Sequence, residues 1–149
     1  MPRTVLLRDW LDRHLVRSHT EEELKNGYSL EPASADASFR RYFRVSLPDG
    51  STRIVMDAPP ELEDCRPFLE VAALLREAGV HAPEVFAEDL SQGFLLLSDL
   101  GSTTYLSVLN ADTAPKLYRD ANAALVDIQR ASRSGVLPEY DRALLTREL

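Results

Sequence analysis

The chain has 149 residues, 44% hydrophobic and 28% charged, which suits one folded domain or two small ones and is too apolar for a disordered chain. Lys plus Arg number 17 against 24 Asp plus Glu, so the net charge is −7, opposite to the basic excess of a general nucleic-acid binder. No apolar run approaches the roughly 20 residues of a membrane span; Arg8 and Asp9 stand where a signal peptide stays apolar; and Cys65 with His14, His19 and His81 makes neither a disulfide framework nor a zinc set, so an acidic cytoplasmic globular unit is expected.

Leu7, Trp10, Leu11 and Leu15 recur at helical spacing and predict a first helix, with Thr4 as N-cap and His14 beside the stripe as a boundary residue. Glu21-Glu22-Glu23 reads as a solvated charge run and Asn26-Gly27 as a turn. From Tyr28 the pattern changes. Residues 38–47 alternate, with Phe39, Phe43, Val45 and Leu47 on one side and Ser38, Arg40, Tyr42, Arg44 and Ser46 on the other, which predicts a half-buried strand. Pro48-Asp49-Gly50 is a hairpin turn, and residues 53–58 form the return strand, ended by Pro59-Pro60. Glu63 or Asp64 starts the next helix, with Pro67 in its first turn, a stripe of Phe68, Val71, Ala72, Leu75 and Ala78, and Gly79 as its stop. Residues 84–90 and 94–98 read as a second hairpin.

Beyond Asp99-Leu100-Gly101 the pattern is helical: a short helix at 103–109, then a longer one capped by Thr113 with Leu117, Ala121, Ala124, Leu125 and Ile128 as its stripe, then a start near 139. The expected fold class is α+β. An antiparallel sheet of about five strands (residues 28–31 supplying the first) carries a helix, and a helical layer follows. The expected organisation is 1–98, a hinge at 99–102, and 103–149. Apolar residues on the 117–128 helix predict exposed surface and self-association.

The residues richest in chemistry lie between the first two strands. Ala33, Ser34, Ala35, Asp36, Ala37 and Ser38 are all small, so backbone amides there can approach an anion, and the two serines add donors. Arg40, Arg41, Arg44 and Arg53 make a basic island on an acidic chain. Arg41 shares the face of Phe39 and Phe43, where a charge is costly unless it is paired or enters a cleft. Both a phosphate-binding loop and a ladder of surface arginines, with Arg41 paired to an acid, fit these residues. The loop has no glycine and is not a Walker motif.

Three blocks in order carry a resemblance: Ser34-Ala35-Asp36-Ala37-Ser38-Phe39-Arg40-Arg41-Tyr42-Phe43-Arg44-Val45, Ile54-Val55-Met56-Asp57-Ala58-Pro59-Pro60, and Gly93-Phe94-Leu95-Leu96-Leu97-Ser98-Asp99-Leu100-Gly101. Together they resemble the aminoglycoside phosphotransferase superfamily, and within it the anomeric N-acetylmuramate/N-acetylglucosamine kinases of cell-wall sugar recycling. The resemblance runs from Leu7 nearly to the end of the chain. It implies a protein-kinase-like N-terminal lobe, ATP with Mg²⁺, and an amino-sugar acceptor. The 34–38 loop, with Phe39 at its end, would lie over the ATP phosphates. Backbone groups of Ser98, Asp99 and Leu100 would meet the adenine, with Leu100 or Val55 against its face.

The chain also departs from that pattern. The strand that should carry a phosphate-binding lysine has none, and Met56 stands in its place; Arg41 is the first candidate for the missing charge, and Arg40, on the opposite strand face, is expected to matter little. Glu70 is the nearest match to the helix glutamate that partners the lysine, and fits a solvated helix acid equally well. Asp57 could orient Arg41 or Arg53, or cap the turn before Pro59. The superfamily's His-x-Asp, with Asn five residues after the Asp, is absent: Val16, Glu21 and Pro83 stand two residues after the three histidines. Catalytic residues and Mg²⁺ ligands are therefore expected beyond Leu149, and the chain alone is expected to be inactive. The alternative is a free-standing binding or scaffold module without catalysis.

Overall fold

A computed structural model describes residues 2–15, 27–35 and 39–148, with 34, 35, 147 and 148 described by backbone alone. The 21–23 charge run, His19, Asn26, Asp36, Ala37 and Ser38 lie outside the described residues. Helix α1 (Arg3–Leu15) is followed by strands β1 (Ser29–Ala35), β2 (Arg41–Ser46) and β3 (Thr52–Asp57), helix α2 (Arg66–Glu77), strands β4 (Val85–Asp89) and β5 (Phe94–Ser98), and helices α3 (Tyr105–Val108), α4 (Ala114–Ala131) and α5 (Arg142–Glu148).

The strands form one five-stranded sheet of order β1-β2-β3-β5-β4, antiparallel throughout. Asp49 shapes the β2–β3 turn by accepting from the Ser51 backbone N–H at 2.8 Å, while Gly50 adopts the left-handed φ of +82°. The β4–β5 hairpin inserts β5, not β4, beside β3. Both faces of β5 are then covered, which explains why Phe94, Leu95, Leu96 and Leu97 form an unbroken apolar run. At the base of that hairpin the Ala58 N–H donates to the Gly93 carbonyl at 2.8 Å. A Cβ at Gly93 would overlap the Ala58 carbonyl oxygen, so only glycine fits there.

The sheet has two unlike faces. On one, α1 lays its predicted stripe of Leu7, Trp10, Leu11 and Leu15 against Val45, Leu47, Val55, Phe94 and Leu96. The Tyr28 hydroxyl donates to Asp12 at 2.9 Å and ties the helix to the start of β1. On the other face, Met56, Ala58, Leu95 and Leu97 pack with Cys65, Phe68 and Leu69 at the start of α2. The other side of α2, including Val71, Leu74 and Leu75, faces Ile128, Ala131 and the 133–139 segment across a cavity of about 380 Å³. The helical layer therefore lies on the α2 side of the sheet.

Some details differ from expectation. Thr4 falls inside α1, which opens with the Val5 N–H donating to the Pro2 carbonyl at 3.0 Å. Strand β2 begins at Arg41, so Phe39 lies outside it, 63% exposed. Cys65, not Glu63 or Asp64, is the N-cap of α2, and Asp64 accepts from the Arg66 N–H at 3.0 Å. No residue of α4 is buried, and Tyr118, Leu125 and Val126 are exposed. No helix among the described residues is long and apolar enough to cross a membrane.

Candidate functional site

Directly opposed residues of antiparallel strands share a face. Tyr42, Met56 and Leu95 form one row across β2, β3 and β5, and Arg44, Ile54 and Leu97 the next. Both rows lie on the α2 side, where Tyr42, Ile54, Leu95, Leu97 and Met56 pack together. α2 covers one end of this face and leaves Tyr42, Arg44 and Ile54 half-buried. This open face is the roof of whatever fits between the sheet and the helical layer.

Each end of the roof carries an arginine held by a carboxylate. At the connector end, Arg44 Nε donates to Asp99 Oδ2 at 2.6 Å and Nη2 to Oδ1 at 3.1 Å. Asp99 Oδ1 also accepts from the Gly101 N–H at 2.8 Å. The Arg44 hydrogen bonds are the main reason that the Asp99 carboxyl is held down at about 2. The connector after β5 is thereby fastened to β2, 55 residues away in sequence. Ser98 is fixed differently: its hydroxyl accepts from the Glu84 N–H at 2.9 Å. Leu100 is 49% exposed beside them.

At the loop end, Arg40 lies on the side of Tyr42, with which it hydrogen-bonds, and its charge bears on Cys65. Glu63, in the segment before α2, receives two donors: the Phe39 N–H on Oε1 at 3.2 Å and Arg40 Nε on Oε2 at 3.1 Å. Burial and neighbouring acids push the Cys65 thiol up, against a smaller opposing effect of Arg40, so it is a packed thiol rather than a nucleophile.

The structure pairs both Arg40 and Arg41 with acids, and for Arg41 this is the acid-paired alternative. Arg41 is on the face of Phe43, as the alternation implies; α1 packs against the centre of that face, and the Arg41 side chain at its end is 49% exposed. Arg41 pairs with Asp57, which is wholly buried and also pairs with Arg3, whose Nε donates to Oδ1 at 2.9 Å. Arg3 Nη2 further donates to the Gln92 carbonyl at 2.7 Å. Asp57 thus orients Arg41 and not Arg53, which stacks on Phe86 at 4.6 Å.

Val55 is also displaced from its expected role. It is fully buried in the α1 layer, on the face opposite Met56, so it cannot touch a ligand on the roof; Ile54 holds that position. Glu70 is exposed on α2, and its charge acts on Arg66 of the same helix. Ser34 and Ala35 belong to the end of β1, opposite Tyr42 and Arg41, after a register shift between Pro32 and Ser34. The structure therefore brings Met56, Ser98, Asp99 and Leu100 to the roof or its connector, and leaves Val55, Arg41 and Glu70 elsewhere.

Glu63, Arg44 and Ile54 also line or flank this face, and sequence reasoning did not assign them to it. The only available signal was that Arg44 and Ile54 share strand parity with Tyr42 and Met56. Among the described residues no group of three His, Cys, Asp or Glu could hold a metal ion. What the roof offers is a flat, half-apolar surface with an anchored arginine at each end. It suits a ligand with a planar apolar part and an anionic part.

A five-stranded antiparallel sheet of this order, carrying one helix on its inner face and passing from its interior strand β5 into helices, is the N-terminal lobe of a kinase-like fold. Residues 29–149 match the phosphotransferase enzyme family, and the chain belongs to it. It is similar to N-acetylmuramate/N-acetylglucosamine kinases: 58% identical to that of Pseudomonas aeruginosa over 80% of this chain, and 50% identical to that of Pseudomonas putida over 94%. A kinase of the same name from Neisseria meningitidis serogroup B is 41% identical over the whole chain. The chain spans 35%, 42% and 43% of the lengths of these three relatives.

Proposed function

We propose that the chain is the nucleotide-binding lobe of an ATP-dependent kinase that phosphorylates the anomeric hydroxyl of an amino sugar, N-acetylmuramate or N-acetylglucosamine. The observation that carries this reading is the identity of 41–58% to three kinases of that name, extending across the whole sheet. The open roof supports it. The adenine would lie against Ile54, with backbone groups of Ser98, Asp99 and Leu100 at its edge, and the phosphates would lie under the 34–38 loop. Asp99, held by Arg44, would keep the connector in one conformation, which is positioning prepared before the ligand arrives.

In the reaction the bond from the γ-phosphorus to its bridging oxygen breaks, a bond to the sugar hydroxyl oxygen forms, and the hydroxyl proton passes to a carboxylate; ADP leaves. Mg²⁺ supplies charge neutralisation on the phosphates. Neither its ligands nor the accepting carboxylate follow the superfamily pattern in this chain, which spans 35–43% of the lengths of its relatives, and they would come from the part of such a kinase that the chain does not span. The proposed use of ATP fits a cytoplasmic location.

The test is ³¹P NMR of the full-length protein with ATP, Mg²⁺ and each sugar. A new anomeric sugar phosphate is expected from the full-length protein, and none from the 149-residue chain. Absence of product from the full-length protein with either sugar would overturn the substrate assignment. Turnover by the 149-residue chain would overturn the placement of the catalytic groups.

A further inference from the structure

We infer that Arg40, held in place by Glu63, is the side-chain cation that meets the phosphates of the nucleotide, and that this pair does the work for which Met56 has no charge. The inference rests on the nucleotide-binding reading above and names the residues by which it would operate.

The other arginines of the sheet are accounted for. Arg41 and Arg3 both pair with Asp57, on the side of the sheet that α1 packs against. Arg53 stacks on Phe86 and has the parity of Val55, on the closed face. Arg44 is on the open face but is held at the connector end by Asp99. Among the described residues of the sheet and its turns, this leaves Arg40 as the cation that adjoins the small-residue loop on the side of Tyr42 and Met56.

Its surroundings are those of a prepared group. The Arg40 and Glu63 side chains are 28% and 15% exposed, so the pair is largely withdrawn from water and weakly screened. Glu63 takes the Nε edge of the guanidinium with one oxygen and the backbone N–H at the end of the loop with the other. One carboxylate therefore fixes the guanidinium relative to the loop backbone. A guanidinium, with its planar fork of N–H donors, is a group that phosphate oxygens accept from well. Arg40 is thus a binding residue and Glu63 a positioning residue. The acid that serves the cation comes from the segment before α2 rather than from Glu70 within it.

Titration of the full-length protein with ATP, ADP and adenosine separates this role from a merely structural one, because adenosine has no phosphate. Arg40→Ala is expected to weaken ATP and ADP by about tenfold or more while leaving adenosine within about twofold. Arg40→Lys should recover part of the ATP affinity, and Glu63→Gln should weaken ATP by about threefold to fivefold, again sparing adenosine. Arg40→Gln, which keeps a donor for Glu63, covers the case in which the alanine variant does not fold. Arg41→Ala should lower the Tm and leave ATP affinity within about twofold.

Equal losses for ATP and adenosine, or unchanged ATP affinity in the Arg40 variants, would overturn the inference while the wild type continued to make sugar phosphate. A wild type that binds no ATP would overturn both this inference and the reading beneath it.

Discussion

The two faces of the sheet are built from the same strands, yet one is closed and the other open. On the α1 side, Leu7, Trp10, Leu11 and Leu15 are at most 2% exposed, and Asp57, the one buried carboxylate among the described residues, is matched by two arginines. On the α2 side the helix shields Met56, Leu95 and Leu97 but leaves Tyr42, Arg44 and Ile54 within reach of a ligand. Neighbours in sequence therefore have unlike fates: Val55 is core and Ile54 is roof; Arg41 pairs with Asp57 and Arg40 with Glu63. The closed face is packed at its centre, and the open face leaves part of its surface uncovered.

The sharpest way to break this comparison is Trp10→Ala. Removing the largest side chain of the closed face should lower the unfolding free energy by about 3–5 kcal/mol in urea titrations. The folded fraction should keep its nucleotide affinity. A matching loss of affinity would show that the closed face also shapes the site.

A smaller effect concerns the open face. The folded Asp99 carboxyl sits at about 2, below its ordinary unfolded value, so its stabilisation is complete above the unfolded pKa and is lost as pH falls through the folded one. That contribution is about 2 kcal/mol. Arg44→Met should therefore be less stable than wild type at pH 7 by up to about that amount, with the gap closing towards pH 2. A gap independent of pH would mean that the arginine acts through packing alone.

The smallest stability change is expected on α4, which belongs to neither face. Leu125→Lys together with Tyr118→Lys should alter stability by only about 0.5 kcal/mol. It should lower self-association of the 149-residue chain in sedimentation velocity. A strictly monomeric wild type at high concentration would remove the self-association expectation.

Much of this fold was legible in the chain. The helical spacing of Leu7, Trp10, Leu11 and Leu15, the Asp49-Gly50 turn and the second hairpin all reflect local chemistry, and each led to the right element. Parity was also read correctly, since Arg41 does share the face of Phe43. What alternation cannot convey is which face a distant element will cover. For Arg41 both a cleft and an acid partner were open, and the partner Asp57 lies on another strand; Val55 lies on the face that α1 covers. The partners that settle the site are far apart in sequence: Arg44 with Asp99, Arg40 with Glu63, and Arg3 with Asp57. Propensity and period carry no information about such pairings.

The closed face has a consequence for how the chain is made. Its core joins α1 to Phe94 and Leu96, and Arg3 reaches the carbonyl of Gln92. At about 5–20 residues per second, synthesis takes roughly 4–17 seconds to pass from Trp10 to Phe94. Throughout that interval the nascent chain carries an amphipathic helix whose docking surface has not yet been translated. High contact order of this kind slows folding. It also makes the first helix a segment for cellular chaperones to hold, until β5 emerges and the sheet can close beneath it.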